Sequence, residues 1–441
     1  MRSALALALT ALLLAPPLWA QQQPGAPPDE SVLGQLPITG HVEEHVTSLA
    51  ILPSLAPDLE DVIVRGVVRR DFELSGMFRV IPDQKAPAGL YGFDDPVDVD
   101  AWRKIGAEVI VKVAARKRRK GKIEVFGLAY FLDVGKDPVY QKKLLVDPSE
   151  VRVTAHRITD ALLGAITGRP GGFASHFTFS GKWGKSRRIF TMDADGHALT
   201  PVTDASLTAI APTWGPNQSL YYTVSEKYSP FRLTILNGGK TKPVAVPFKT
   251  SVYSVAFNLD HTKMAVAVAA DARSAIWVGN LDGSGMMKVS KTQLATHPVF
   301  SPSGKLAWIG GDPKKYGSQR VYVDGKPVSP AGFTAAAPAF CDTEDGIRLV
   351  YAVAVGGDRQ DLVMSSETGG GIARLTQNQG SNSYPACSPD GRLLAFFSNR
   401  KKSQPGMYLM SLKRWKTQWL AGQYGESLRW AALPPPSGAA P

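Results

Sequence analysis

Apolar positions in the first third of the chain switch between two spacings. Residues 47–53, Thr-Ser-Leu-Ala-Ile-Leu-Pro, form a compact apolar run that predicts a buried strand. Pro57-Asp58-Leu59-Glu60-Asp61 then opens a predicted helix with acidic residues in its first turn, and Leu59, Ile63, Val67 and Val68 share one face. A second helix is predicted over 97–106 around Trp102 and Ile105, ending at Gly106. Residues 108–113 predict a strand, and 122–134 pair with it or with the next strand across a turn at Gly121. A last helix, 148–167, carries Ile158, Leu162 and Ile166 along one stripe and stops at Gly168. These elements predict an α/β domain over 46–170. Before it, residues 31–38 place apolar side chains at alternate positions, which predicts a short strand or strand-forming arm.

Beyond Gly171 the helical spacing disappears, and short strands separated by Gly and Pro take over. One shape recurs: Pro212-Thr213-Trp214-Gly215-Pro216, Pro298-Val299-Phe300-Ser301-Pro302 and Pro385-Ala386-Cys387-Ser388-Pro389-Asp390-Gly391 are its clearest copies. Taking Trp214, Phe257, Phe300, Phe340, Cys387 and Trp430 as equivalent anchors, the spacings are 43, 43, 40, 47 and 43. That period is one four-stranded propeller blade. Strands after the anchor, such as 306–309 and 393–397, are almost wholly apolar, as expected where neighbouring blades cover both faces. Residues 177–203 supply strands without an anchor, whereas Leu428-Arg429-Trp430 supplies an anchor and little else. Joined, they make a sixth blade, so the expected fold class is an α/β domain followed by an all-β six-bladed propeller closed by the C-terminal strand.

The first twenty residues have the order of a secretory signal: Arg2, an apolar stretch from Ala4 to Leu14, then Pro16, Pro17 and Leu18-Trp19-Ala20. Cleavage is expected after Ala20, and the absence of a nearby Cys argues against a lipidated N-terminus. No later segment approaches the roughly 20 apolar residues of a spanning helix. Residues 21–45 are expected to be a flexible extension and arm, 171–433 the propeller, and 434–441 a loose Pro-rich tail. The formal charge of +12 would suit an acidic partner or simply a basic soluble protein. The basic run 116–120 falls at a hairpin tip, where a solvated loop is expected in preference to a nucleic-acid patch, because the chain is exported. Cys341 and Cys387 fall at inner-strand positions of neighbouring repeats, and two buried thiols are expected in preference to a disulfide.

Chemistry-bearing constellations are sparse. The histidines are dispersed; His41 and His45 with Glu44 between them have helical metal-ligand spacing but lack the rest of a metalloprotease motif. No Gly-x-Ser-x-Gly elbow is present. No catalytic residue, cofactor or metal ligand is therefore expected. A propeller that takes a small ligand or saccharide at its channel mouth, with hydrolase or lyase activity, would need convergent Asp, Glu, His or Arg at the loop ends.

The anchors, the domain order and the junction Ala155-His156-Arg157-Ile158-Thr159-Asp160-Ala161-Leu162, running into Thr167-Gly168-Arg169-Pro170-Gly171-Gly172-Phe173, resemble the TolB family of the bacterial Tol-Pal envelope system. The resemblance implies a periplasmic, monomeric, non-enzymatic interaction protein. It implies binding of a Pal-like outer-membrane lipoprotein through the propeller and of a TolA-like inner-membrane protein through an N-terminal arm, supporting outer-membrane integrity, transport and constriction in cell division. The arm maps to 31–39, with Val32, Leu33, Gln35, Leu36 and Ile38 as candidate contacts. Such an arm could add as a strand to a partner sheet or pack on its own protein. At the channel mouth the candidate Pal-facing residues are Ala209, Tyr253, Thr296, His297, Ala337 and Tyr384.

Overall fold

The computed structural model describes residues 29–35, 45–53, 58–89, 91–227, 229–270, 273–315 and 317–433. The expected signal sequence, the tail, His41, Leu36 and Ile38 lie outside the described residues.

The amino-terminal domain is a five-stranded sheet with helices against it. Its strands are β1 (Ser48–Ile51), β2 (Arg79–Val80), β3 (Val109–Lys117), β4 (Ile123–Phe131) and β5 (Tyr140–Val146), in the order β2-β1-β3-β4-β5. The pairs β1–β2 and β1–β3 are parallel, and β3–β4 and β4–β5 are antiparallel. Helix α1 spans Leu59–Ser75, α2 Val99–Lys104 and α3 Val151–Thr167. Helix α3 follows a turn in which Asp147 and Glu150 form a reciprocal capping box, and it stops at Gly168, whose φ of 79° only glycine adopts without strain. The buried face of α1 is Val64, Val67, Val68 and Phe72, rotated from the expected stripe, so Leu59 is 68% exposed. Ile105 is likewise exposed, because α2 ends at Lys104. The two strands that periodicity missed are the two-residue β2 and β5, whose buried and exposed positions alternate without a strong apolar run.

Six four-stranded sheets follow. Their inner strands are Thr208–Trp214, Val252–Phe257, Leu294–Phe300, Ala335–Thr343, Asn382–Cys387 and Gly425–Trp430. The last pairs antiparallel with His176–Trp183, the second strand of blade 1, so the first and last parts of the β region share one blade as the spacing predicts. Trp430 fixes that closure: its ring packs 4.3 Å from that of Phe177, and its Nε1 donates to Ser175 Oγ at 2.8 Å. Second strands are largely buried, and wholly so in Leu306–Gly311 and Leu393–Ser398. The cysteines depart from expectation. Cys341 and Cys387 form a disulfide across blades 5 and 6, because the propeller brings their Cα atoms to 5.4 Å although 46 residues separate them.

The basic hairpin tip is bound into its own domain. Arg116 donates to Glu124 Oε2 at 2.9 Å and lies 3.6 Å over the Phe93 ring, and Arg118 also pairs with Glu124.

Candidate partner-docking site

The two faces of the propeller differ in what covers them. The amino-terminal domain sits over the turns that follow the inner strands of blades 5 and 6. Arg169 Nη2 donates to Asp342 O at 3.3 Å, Arg392 Nη2 to Thr167 Oγ1 at 2.9 Å, and Gln418 Nε2 to Leu74 O at 2.6 Å. A Cβ on Gly172 would stand 3.0 Å from Pro389, so this junction closes only around glycine. The loops that enter the inner strands open on the opposite face, around the channel mouth.

Every inner strand is bulged near that mouth, as the register shifts in all six blades show. Ala211, His297, Ala337, Tyr384 and Ser427 have φ between 47° and 54°, a conformation that L residues other than glycine rarely adopt. Each lies three residues before its anchor, and Ser254 is the equivalent in blade 3. The six candidate mouth residues fall at two positions relative to these bulges. His297, Ala337 and Tyr384 are bulge residues, whereas Ala209, Tyr253 and Thr296 lie before the bulge. Ala209 is fully buried and Ala337 nearly so, which withdraws both side chains from any docking surface. Tyr253 packs beside Ala265, Ala267 and Trp308 between blades, and Thr296 Oγ1 lies 3.0 Å from His297 Nδ1.

What sequence reasoning missed on this face is its aromatic rim. Trp183 and Tyr424 are each about half exposed, beside an ion pair between Arg187 and Glu426 at 2.8 Å. Arg429 lies on the closing inner strand, one residue before the Trp430 anchor, and its Nη1 donates to Leu428 O at 3.0 Å. Burial, with the charge of Arg429, lowers the His297 imidazole to about 4; burial also brings the Arg429 guanidinium down to about 10 and pushes the Tyr384 phenol up.

The described residues of the arm, 31–35, do not form a strand. Glu30–Leu33 is a single 3₁₀ turn capped by Asp29, whose Oδ1 accepts from Ser31 N at 3.0 Å. Leu33 is fully buried among Ala307, Ile309, Val321, Phe333 and Tyr351, sealing blades 4 and 5. Glu30 pairs with Arg374 at 2.8 Å, and Arg374 also pairs with the buried Asp361. Val32 and Gln35 face solvent. The alternating pattern read as a strand is instead a turn that sends Leu33 inward and leaves Val32 outside.

A buried polar cluster joins the domains. His156 Nδ1 meets Asp71 Oδ2 at 2.8 Å, and Arg152 Nε donates to Asp193 Oδ2 at 2.6 Å while its Nη2 pairs with Asp195. Burial alone would lower the imidazole, yet Asp71 raises it to about 9; hydrogen bonds from His176 and Arg152 hold Asp193 at about 2 against the effect of burial. Asp71, His156 and Asp195 present ligand atoms within 4.8 Å of one another, but Arg152 and the imidazolium already neutralise these carboxylates. The chemistry of the cluster is charge pairing. His45, taken alone from the spaced pair in the sequence, is exposed and meets Glu108.

An α/β domain set against one face of a six-bladed propeller defines a two-domain propeller protein. Residues 36–132 match the TolB amino-terminal domain family. The Tol-Pal system protein TolB of Dinoroseobacter shibae is 31% identical over 224 residues, 48% of each chain, and that of Syntrophotalea carbinolica 29% over 178 residues, 38% of each. The chain spans about half or less of the length of these curated relatives. The crystal structure of TolB from Acinetobacter baumannii matches 88% of this chain and 97% of its own with a TM-score of 0.73 at 19% identity, a likeness of fold. The family model covers part of the amino-terminal domain, and the likeness of fold extends over most of the chain. Among the described residues no helix is long and apolar enough to cross a membrane.

Proposed function

We propose that the chain is a non-enzymatic periplasmic docking protein of the Tol-Pal system. It binds a Pal-like outer-membrane lipoprotein at the open channel mouth and a TolA-like inner-membrane protein through residues 31–39, in support of outer-membrane integrity and envelope constriction. The observation that carries this reading is an amino-terminal domain matching the TolB model joined to a six-bladed propeller on which Trp183 and Tyr424, residue types favoured at protein interfaces, are about half exposed. With the arm seated, Leu33 is inside the propeller and cannot be offered to a partner. Binding through the arm therefore requires it to leave its seat, an exchange between two states.

Pull-downs from envelope extracts test the division of labour, using the mature protein and a form lacking 31–39. The truncated form should keep the Pal-like lipoprotein and lose the TolA-like protein. Loss of neither partner, or capture of no envelope protein by either form, would overturn the proposal.

A further inference from the structure

We propose that a cleft between blades 5 and 6 binds the phosphate group of a small hydrophilic phosphate monoester, with Arg359, Arg400 and Lys402 as its cations. The site lies outward of the hub, and the proposal does not depend on the docking reading above.

Three loops form the cleft. Residues 355–359 join the second and third strands of blade 5, 399–405 join the equivalent strands of blade 6, and 380–381 enter the inner strand Asn382–Cys387. Antiparallel pairing brings all three to one end of the two sheets. They enclose about 680 Å³, within the roughly 300–1,000 Å³ of small-molecule sites. A Cβ on Gly357 would meet nothing within 4 Å, so the blade 5 loop stands clear of other groups there. On the blade 6 side, Asn399 Oδ1 accepts from Ser381 N at 2.6 Å, which ties two of the loops together and leaves the Asn399 Nδ2 as a donor.

The charges around this space do not balance. Three cations line it against a single carboxylate, Asp358. Arg400 donates from Nε to Ser398 Oγ and from Nη2 to Asn382 Oδ1, each at 3.1 Å, and lies 5.0 Å over the rings of Phe396 and Tyr408. Those partners are all neutral. Arg359 donates from Nη1 to Asn378 Oδ1 at 2.8 Å, and its Nη2 stands 3.7 Å from Glu30, beyond hydrogen-bond reach. Lys402 is exposed and makes no hydrogen bond or ion pair among the described residues. Burial brings the Arg400 guanidinium down to about 10, as expected of a partly enclosed charge short of counter-charge. That cost is recovered when an anion enters.

The count of charges selects the anion. Arg400 and Lys402, without carboxylate partners, together match the charge of about −1.5 to −2 that a phosphate monoester carries at neutral pH. Guanidinium and ammonium groups both bind phosphate oxygens. The remaining wall is glycine, the Ser381 hydroxyl, the Asn399 amide and Pro405, so it favours a polar body over an acyl chain in the cleft. A lipid headgroup and a free ester share this chemistry.

The test uses the mature chain, titrated with glycerol 3-phosphate by NMR and sedimented with phosphatidylcholine vesicles with and without phosphatidic acid. The ester should shift the amides of 356–358 and 380–381 saturably, and acetate at the same concentration should not. Arg400→Gln should weaken binding by about tenfold, as loss of a charge-assisted contact does. Lys402→Gln should weaken it by about threefold, and Lys242→Gln, an exposed lysine on blade 2, should leave it unchanged. Arg400 also holds Ser398 and Asn382, so Lys402→Gln carries the test should Arg400→Gln fail to fold. Vesicle binding that needs phosphatidic acid and weakens in Lys402→Gln assigns the headgroup, whereas binding of the ester alone assigns a soluble ligand. Binding of neither probe, a response to acetate as strong as to the ester, or a Lys402→Gln response no different from that of Lys242→Gln would overturn the site. The pull-down outcome above is read separately from all of these.

Discussion

At the scale of single residues, the domain junction is governed by His156. Its folded value of about 9 exceeds the 6.5 of an unperturbed imidazole, so the stability it contributes is complete below about pH 6.5 and is lost as pH rises through 9. The full contribution is of order 3 kcal/mol. Thermal midpoints recorded from pH 6 to 10 should fall over that window, and His156→Gln should start lower and flatten the dependence. Asp193 works in the other direction: its depressed value of about 2 makes its contribution present above the ordinary carboxylate range and lost in strong acid. The sequence flagged His156 only as a member of the junction helix. Its partners lie 85 residues before it and 37 and 39 residues after it, separations at which no local pattern signals contact.

At the scale of elements, the arm and the disulfide show what periodicity can and cannot carry. The blades were legible because each repeats the same anchor, and the closing strand because one fragment lacked what the other supplied. The arm was not, because an eight-residue alternating stretch has no repeat to confirm it, and the seat that captures Leu33 is built by blades 4 and 5. Its geometry turns on Gly34, where φ is 71° and an added Cβ would stand 2.3 Å from Ile372 O. Gly34→Ala should unseat the arm while sparing the fold. Limited proteolysis should then cut near residue 34 at least several-fold faster, and an unchanged cleavage rate would show that the seat tolerates the substitution. The mouth residues were half legible for a related reason: counting back from the anchors finds the hub, but the bulge displaces alternation and turned Ala209 into a buried residue.

At the scale of the whole molecule, the ring is tied in two places. One is the blade shared by Gly425–Trp430 and His176–Trp183, and the other is the Cys341–Cys387 bridge between blades 5 and 6. In the chain-entropy view a loop of this length gains up to about 4 kcal/mol from its cross-link. Reduction, or the double change Cys341→Ser and Cys387→Ser, should lower the thermal midpoint by several degrees without altering the far-ultraviolet circular dichroism. An unchanged midpoint would mean that packing alone holds these blades together. The sequence placed both cysteines correctly on inner strands but took them for separate thiols, since only the closed ring makes them neighbours.

The shared blade also dictates when the protein can finish folding. A chain that emerges amino-terminus first delivers His176–Trp183 nearly 250 residues before Gly425–Trp430. Throughout that interval the hub-facing side of the first sheet has its hydrogen-bonding groups open, a template for any stray strand. None of the blades between can stand in for the missing piece. Folding of this protein thus ends with a latch.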